Sequence, residues 1–163
     1  MDEKSIRSIT HVDNVKLSED GQAVVILDQS LLPNDTRYLR LEEPEEMYEA
    51  IEKLRVRGAP AIGICAAYCM YVLALRRGCC ENFAGRLKSD GEYLKHSRPT
   101  AVNLAWAVDR VTAVAMEAGA DDADCGRQKE IIDLIGDEAL SIHREDIEMC
   151  QAISRYEIGR AHV

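Results

Sequence analysis

The chain has 163 residues, a formal net charge of -9 and 47% hydrophobic positions. That is one domain, or part of a longer protein, with enough apolar content for a core and too much for general disorder. An excess of 29 Asp and Glu over 20 Lys and Arg argues against a nucleic-acid binder, which needs a basic patch for phosphates. A small anion held by a few placed arginines remains compatible with it.

The opening Met1 to Ser5 is charged and lacks an apolar stretch, so no secretory leader is read there. Residues 1–42 read as short strands and turns that build a small antiparallel sheet. Ala23 to Leu27 is a β-branched run after the turn signal Glu19-Asp20-Gly21, and Tyr38 to Leu41 alternates. Leu32-Pro33-Asn34-Asp35 breaks the path between them.

Residues 43–156 read as helical. Pro44 suits a first helical position, with Glu45 and Glu46 at the positive end. Met47, Ala50, Ile51 and Leu54 form an apolar stripe, and Gly58 is the stop. Pro60 opens a helix that is apolar nearly all round and hence central. Gly63, Ala66 and Ala67 would let a neighbour approach closely. Its uncharged run, Ala59 to Leu75, falls short of the roughly 20 residues a bilayer span needs and contains Pro60 and Gly63, so a buried helix is read rather than a membrane one. A weaker amphipathic stretch runs from Glu81 to His96, interrupted at Asp90-Gly91. Pro99 starts a helix to Ala118, and Gly119 to Gly126 is a polar loop. From Arg127 to about Arg155, Ile131, Ile135, Ala139, Ile142, Met149 and Ile153 share one face.

The six cysteines contain no CxxC pair, which with the absent leader implies reduced thiols in a cytoplasm. His11, His96, His143 and His162 show no ligand spacing to one another or to the cysteines, so no metal site is read. Cys65 and Cys69 fall on one face of the apolar helix, where nothing would lower a thiol pKa, and read as core thiols.

Two words share one physical design. In Arg57-Gly58-Ala59-Pro60 and in Arg98-Pro99-Thr100, an arginine precedes a helix opened by proline. Helix N-termini offer unpaired N–H groups and partial positive charge, and an arginine adds a fork suited to phosphate. Ordinary capping beside a solvated arginine accounts for either word alone. Two of them in an acidic chain raise the anion reading without naming a function. Asn103, Trp106 and Arg110 share a helix face downstream. Trp106 reads as core, and Asn103 as either a buried polar group or a ligand contact. Asp28 closes a strand, in a turn or facing a cleft. Asp146 and Glu148 point apart and form no catalytic pair, and His143 reads as a surface contact near Asp146.

Taken in order, three words resemble a known family: Ile26-Leu27-Asp28-Gln29-Ser30-Leu31-Leu32-Pro33, Arg55-Val56-Arg57-Gly58-Ala59-Pro60-Ala61-Ile62-Gly63, and Arg98-Pro99-Thr100-Ala101-Val102-Asn103-Leu104. They are similar to the N-terminal part of S-methyl-5-thioribose-1-phosphate isomerases, over about Val24 to Tyr156. The same superfamily holds ribose-1,5-bisphosphate isomerases and regulatory subunits of a guanine-nucleotide-exchanging initiation factor. The resemblance implies a mainly α fold with a small N-terminal antiparallel sheet, forming the helical N-terminal domain of a two-domain protein. It implies an aldose–ketose isomerase of methionine salvage that turns 5-methylthioribose 1-phosphate into 5-methylthioribulose 1-phosphate. No metal or organic cofactor is expected, nor a nucleic-acid or membrane partner, and a homodimer is expected at full length. Arg57, Gly58, Ala59 and Arg98 inherit the substrate-binding role.

No catalytic residue is inherited. The family's catalytic cysteine and aspartate lie in a Rossmann-like second domain, the cysteine in a Thr-x-Cys-Asn-x-Gly word absent from this sequence. The 163 residues are therefore expected to lack turnover, and the apolar faces that would meet that domain or a second subunit are expected to be exposed. Residues 157–163 depart from the family and are expected to be a non-native tail. An isomerase of 5-deoxyribose 1-phosphate, or a regulatory subunit binding a sugar phosphate or nucleotide, are the alternative readings.

Overall fold

The computed structural model describes residues 14–160, with side chains as far as Tyr156. The leader reading at residues 1–5, His11, His162 and the side chains of the expected tail lie outside the described residues.

The expected sheet is present as three antiparallel strands in sequential order, β1 (Val15–Leu17), β2 (Val24–Leu27) and β3 (Tyr38–Leu41). β2 is central, pairing Val15 with Ile26 on one side and Leu41 with Val24 on the other. Val24 and Ile26 are fully buried, which fixes the register because a slip of one residue would turn them to solvent.

Five helices follow: α1 (Pro44–Glu52), α2 (Ala59–Arg77), α3 (Phe83–Ser97), α4 (Val102–Glu117) and α5 (Cys125–Arg160). α2 is the axis, packed against α3, α4, α5 and the sheet. It is long and apolar enough to cross a membrane, but two thirds of its apolar window is buried inside the protein, which is how a core helix behaves. Cys65 and Cys69 are buried as expected, their Sγ atoms 4.0 Å apart. That contact and the burial push the Cys69 thiol up, so it stays protonated.

Several boundaries differ from the sequence reading, each for a tertiary reason. α1 stops at Glu52 rather than near Gly58, because the Arg55 amide bonds back to Ala50 O at 2.9 Å and Leu54 takes a positive φ of 57°. Arg55 is drawn there by Asp28 (2.6 Å) and Glu49 (2.7 Å), so Leu54 leaves the apolar stripe and is 40% exposed. α3 is not interrupted at Asp90-Gly91. Asp90 is buried against the Arg77 guanidinium, and Gly91 is where α3 meets Met70 and Val108. α4 begins at Val102, three residues after Pro99, since the Ala101 amide closes a turn onto Arg98 O at 3.0 Å.

Cys79 and Cys125 are joined in a disulfide, which corrects the expectation that all six thiols are reduced. The bridge ties the α2–α3 loop to the start of α5, 46 residues away, beyond the reach of any search for local cysteine pairs. Buried Gln128 clamps the same junction, its amide accepting from Cys80 N–H at 3.0 Å and donating to Cys80 O at 3.1 Å.

α5 runs past Arg155 to Arg160. Ile131, Ile135, Ala139 and Ile142 from its expected apolar face are buried, whereas Met149 and Ile153 continue that face into solvent, 58% and 56% exposed. Exposed apolar surface anticipated from the sequence is thus present along the last part of α5, and Val102 and Trp106 of α4 are exposed as well.

Candidate functional site

α2 begins directly after Gly58, whose φ of 96° is a conformation L side chains rarely adopt. The first helical hydrogen bond runs from Ile62 N–H to Gly58 O at 3.0 Å. The N–H groups of Ala59 and Ala61 are thereby left open, Pro60 having none. Gly58 and Ala59 are exposed, and a Cβ built on Gly58 meets nothing within 4 Å. The end of α2 is therefore bare backbone facing open space.

α4 repeats the arrangement. Its first closing bond is Ala105 N–H to Ala101 O at 3.2 Å, which leaves the amides of Val102, Asn103 and Leu104 open. Arg98, half-buried at the end of α3, stands beside this terminus, and its guanidinium makes no hydrogen bond or ion pair with any described residue. The two helices approach closely here: a Cβ on Gly63 would lie 3.1 Å from Asn103 O. That fulfils the close approach expected of Gly63.

Both N-termini open into one cavity of about 400 Å3, lined by Gly58, Ala59 and Ile62 from one side and by Arg98, Thr100 and Asn103 from the other. Two helix dipoles present their positive ends to it, one permanent cation stands at its wall, and no carboxylate lines it. In a chain of charge -9 these groups make a local concentration of positive charge.

Of the four residues proposed from the sequence, the cavity brings together Gly58, Ala59 and Arg98. Arg57 is exposed and not in the lining; its Nε donates to Leu54 O at 3.3 Å. Thr100, given no role from the sequence, and Asn103, left there between a buried polar group and a ligand contact, both line the cavity. Asn103 lies in the first turn of α4 and Thr100 in the turn closed from Arg98 to Ala101 just before it. Asn103 is half-buried and its side chain bonds to no described residue.

Two other side chains resolve differently from their sequence reading, and Asp28 takes one of the two places left open for it. Trp106 is not core but 48% exposed, with the Arg110 guanidinium 5.3 Å from its ring centre. Arg110 is held by Glu138 and, through two bonds of 2.6 Å, by Glu145, so α4 is tied to α5 on this face. His143 meets the Tyr68 hydroxyl at 2.7 Å rather than Asp146. Asp28 belongs to a turn and not to the cleft: it is buried, accepts from Ser30 and pairs with Arg55. Burial opposes its ionisation, but the Ser30 and Arg55 hydrogen bonds outweigh that and hold its carboxyl below the usual range.

Fold and cleft together define a helical domain in which two helix N-termini converge beside an arginine that has no partner among the described residues. The chain belongs to the Initiation factor 2 subunit family, whose model matches residues 55–162. It is 43% identical over 144 residues to the 5-deoxyribose 1-phosphate isomerase of Petrotoga mobilis, covering 87% of this chain and 40% of that protein. It is 42% identical over 150 residues to the methylthioribose-1-phosphate isomerase of Symbiobacterium thermophilum, covering 91% of this chain and 40% of that one. Among solved structures, 5-methylthioribose 1-phosphate isomerase from Pyrococcus horikoshii superposes with a TM-score of 0.74 at 35% identity, covering 83% of this chain and 36% of that chain. The delta subunit of translation initiation factor eIF-2B from A. fulgidus gives 0.70 at 28% identity, covering 83% and 37%. The chain spans about 40% of the length of the curated relatives it matches.

Proposed function

We propose that this chain is the substrate-holding part of a sugar-phosphate aldose–ketose isomerase that converts 5-methylthioribose 1-phosphate into its ketose. The observation that carries this reading is the cavity in which the amides of the α2 terminus face Arg98 with no carboxylate between them. A phosphate seated there accepts from Gly58 and Ala59 N–H and from the Arg98 fork, with the Asn103 amide free to bond a sugar hydroxyl. Arg57, exposed and one residue upstream, joins by giving up its 3.3 Å bond to Leu54 O. The reaction moves a hydrogen between the first two sugar carbons. The acid and base for that step come from outside these 163 residues, so this part binds and orients but does not turn over alone. The product would serve methionine salvage, in a cytoplasmic homodimer.

A 5-deoxyribose 1-phosphate isomerase is the second reading, supported by a relative of that name at 43% identity against 42% for the methylthioribose-1-phosphate isomerase. Both sugars carry the C1 phosphate the cleft suits. The regulatory reading draws on the A. fulgidus subunit, which is less similar in sequence than the isomerases. The test is turnover of both sugars by the protein expressed from its complete gene, compared as kcat/KM. Higher kcat/KM for the methylthio sugar supports the first reading and the reverse supports the second. No isomerisation of either leaves the regulatory reading.

A further inference from the structure

Residues 53–58 connect α1 to α2 and bring Gly58 and Ala59 to the cleft, yet their path is set from outside it. Leu54 has a φ of 57° and Gly58 a φ of 96°. Leucine is a poor occupant of the left-handed region, and such a conformation persists only where its surroundings over-determine it. Here they do so through the next residue. Arg55 is held by Asp28 at 2.6 Å, by both oxygens of Glu49 at 2.7 and 2.9 Å, and by its own backbone. Its N–H donates to Ala50 O and its carbonyl accepts from Gln29 N–H, both at 2.9 Å. Val56 follows, fully buried, so two successive residues anchor the chain just before Gly58.

The tie to Asp28 differs from the tie to Glu49. Glu49 is half exposed and can exchange Arg55 for water. Asp28 is buried, and a buried carboxylate is costly unless a cation and hydrogen bonds compensate it. Arg55 is the one cation bonded to it among the described residues. Asp28 is itself fixed at the end of β2: its N–H donates to Arg37 O at 2.8 Å, and its carboxylate accepts from Ser30 N–H at 3.0 Å. A continuous line of contacts therefore runs from the sheet through Asp28 and Arg55 to the turn at Gly58.

We propose that Asp28 is a positioning residue for the anion cleft: acting through Arg55, it holds the α1–α2 connection in the path that sets Gly58 and Ala59 in the cavity wall. Asp28 is not in the lining and touches no ligand. The proposal rests on the sugar-phosphate reading above and deepens it, giving the N-terminal sheet a part in a site to which it contributes no wall residue.

The test is equilibrium titration of the protein expressed from its complete gene with methylthioribose 1-phosphate. Asp28→Asn keeps the side chain's shape but sets an amide nitrogen against the Arg55 guanidinium, and should weaken binding by about fivefold, a typical coupling within one hydrogen-bonded network. Glu49→Gln leaves the buried tie in place and should weaken it by no more than about twofold. Cys79→Ser, at the opposite end of α2, lowers stability and should leave affinity within about twofold of wild type, as expected of a distant site. Gly58→Ala forces the turn to change, because L side chains rarely adopt that φ. Once the turn has moved, Arg55 has nothing left to position. Adding Asp28→Asn to Gly58→Ala should then cost less than about twofold more, so the two effects are not independent.

Wild-type affinity in Asp28→Asn overturns the proposal, and so does a double variant in which the two separate losses multiply. Equal weakening by Cys79→Ser, or a larger loss in Glu49→Gln than in Asp28→Asn, would reduce Asp28 to a general stabiliser and overturn it as well. Unfolded protein lowers the amount bound at saturation rather than the midpoint of the titration, so partial loss of fold in Asp28→Asn does not imitate the expected result. A wild type that binds no sugar phosphate has a different meaning: it removes the sugar-phosphate reading, and the positioning role with it.

Discussion

Gly91 offers a sign test of the packing that holds the cleft together. In an open helix, replacing glycine by alanine stabilises by about 1 kcal/mol. At position 91 the new methyl would sit 2.8 Å from Val108 Cγ1 and 3.5 Å from Met70 Cε. Val108 is buried and β-branched, with essentially one χ1 rotamer in a helix, so it has little room to rotate away. Relief requires α3 and α4 to part, at a cost of about 1–3 kcal/mol. Gly91→Ala should therefore destabilise by about 1 kcal/mol net, despite the better helix former. Removing the obstacle should reverse the sign: in a Val108→Ala background, itself less stable by about 2 kcal/mol, the same change should stabilise by about 1 kcal/mol. Urea unfolding of the four proteins, with an unchanged m-value, measures both steps and their coupling. Stabilisation by about 1 kcal/mol in both backgrounds would refute the close approach of α3 to α4. The consequence is functional as well, because that approach sets Arg98, at the end of α3, against the first turn of α4.

Arg98→Ala should weaken sugar-phosphate binding by about 1.5–3 kcal/mol, the worth of a charge-assisted contact, and leave the thermal midpoint nearly unchanged. Titration calorimetry with a melting curve separates the two, and normal binding would remove Arg98 from the site. Arg57→Ala, also read by calorimetry, should weaken binding in the same direction. Cys79→Ser opens a loop with a sequence separation of 46, which chain-entropy arguments value at about 4 kcal/mol. The measurable sign is a lower thermal midpoint, by about 8–16 °C at this size, and the same drop on adding reductant to wild type. Acid should destabilise the fold through carboxylates held below their usual range. In Asp28 the Ser30 and Arg55 hydrogen bonds overcome burial, and in Glu49 and Glu145 hydrogen bonds from Arg55 and Arg110 lead. With folded values depressed, this stability is present above the unfolded value of about 4 and is lost as pH falls through the folded ones. Unfolding free energies that stay flat below pH 4 would contradict these pairings.

How much of this could be read in the sequence depended on range. The β-branched run of β2, the alternation of β3 and the all-round apolarity of α2 declare themselves locally, so these were legible, whereas the three residues of β1 carry no such signal. Gly58 and Ala59 were legible for the same reason, because the Pro60 start signal lies beside them. What failed was set by partners far along the chain. Leu54 fits the α1 stripe, yet an ion pair from Arg55 back to Asp28 turns it outward. Asp90-Gly91 looks like a break until Arg77 is available to neutralise the one and Val108 to fill the space of the other. The Cys79–Cys125 bridge is likewise a product of α5 folding back over α2 and α4. Resemblance to relatives supplied the sugar; helix-terminus physics supplied only the anion.

The central claim is that one phosphate sits between the two helix N-termini, and the most direct measurement is a crystal structure of the complete gene product with 5-methylthioribose 1-phosphate bound. The account predicts phosphate oxygens within about 3 Å of the Gly58 and Ala59 amides and the Arg98 guanidinium. Phosphate density elsewhere, with Arg98 still unpaired, would contradict it.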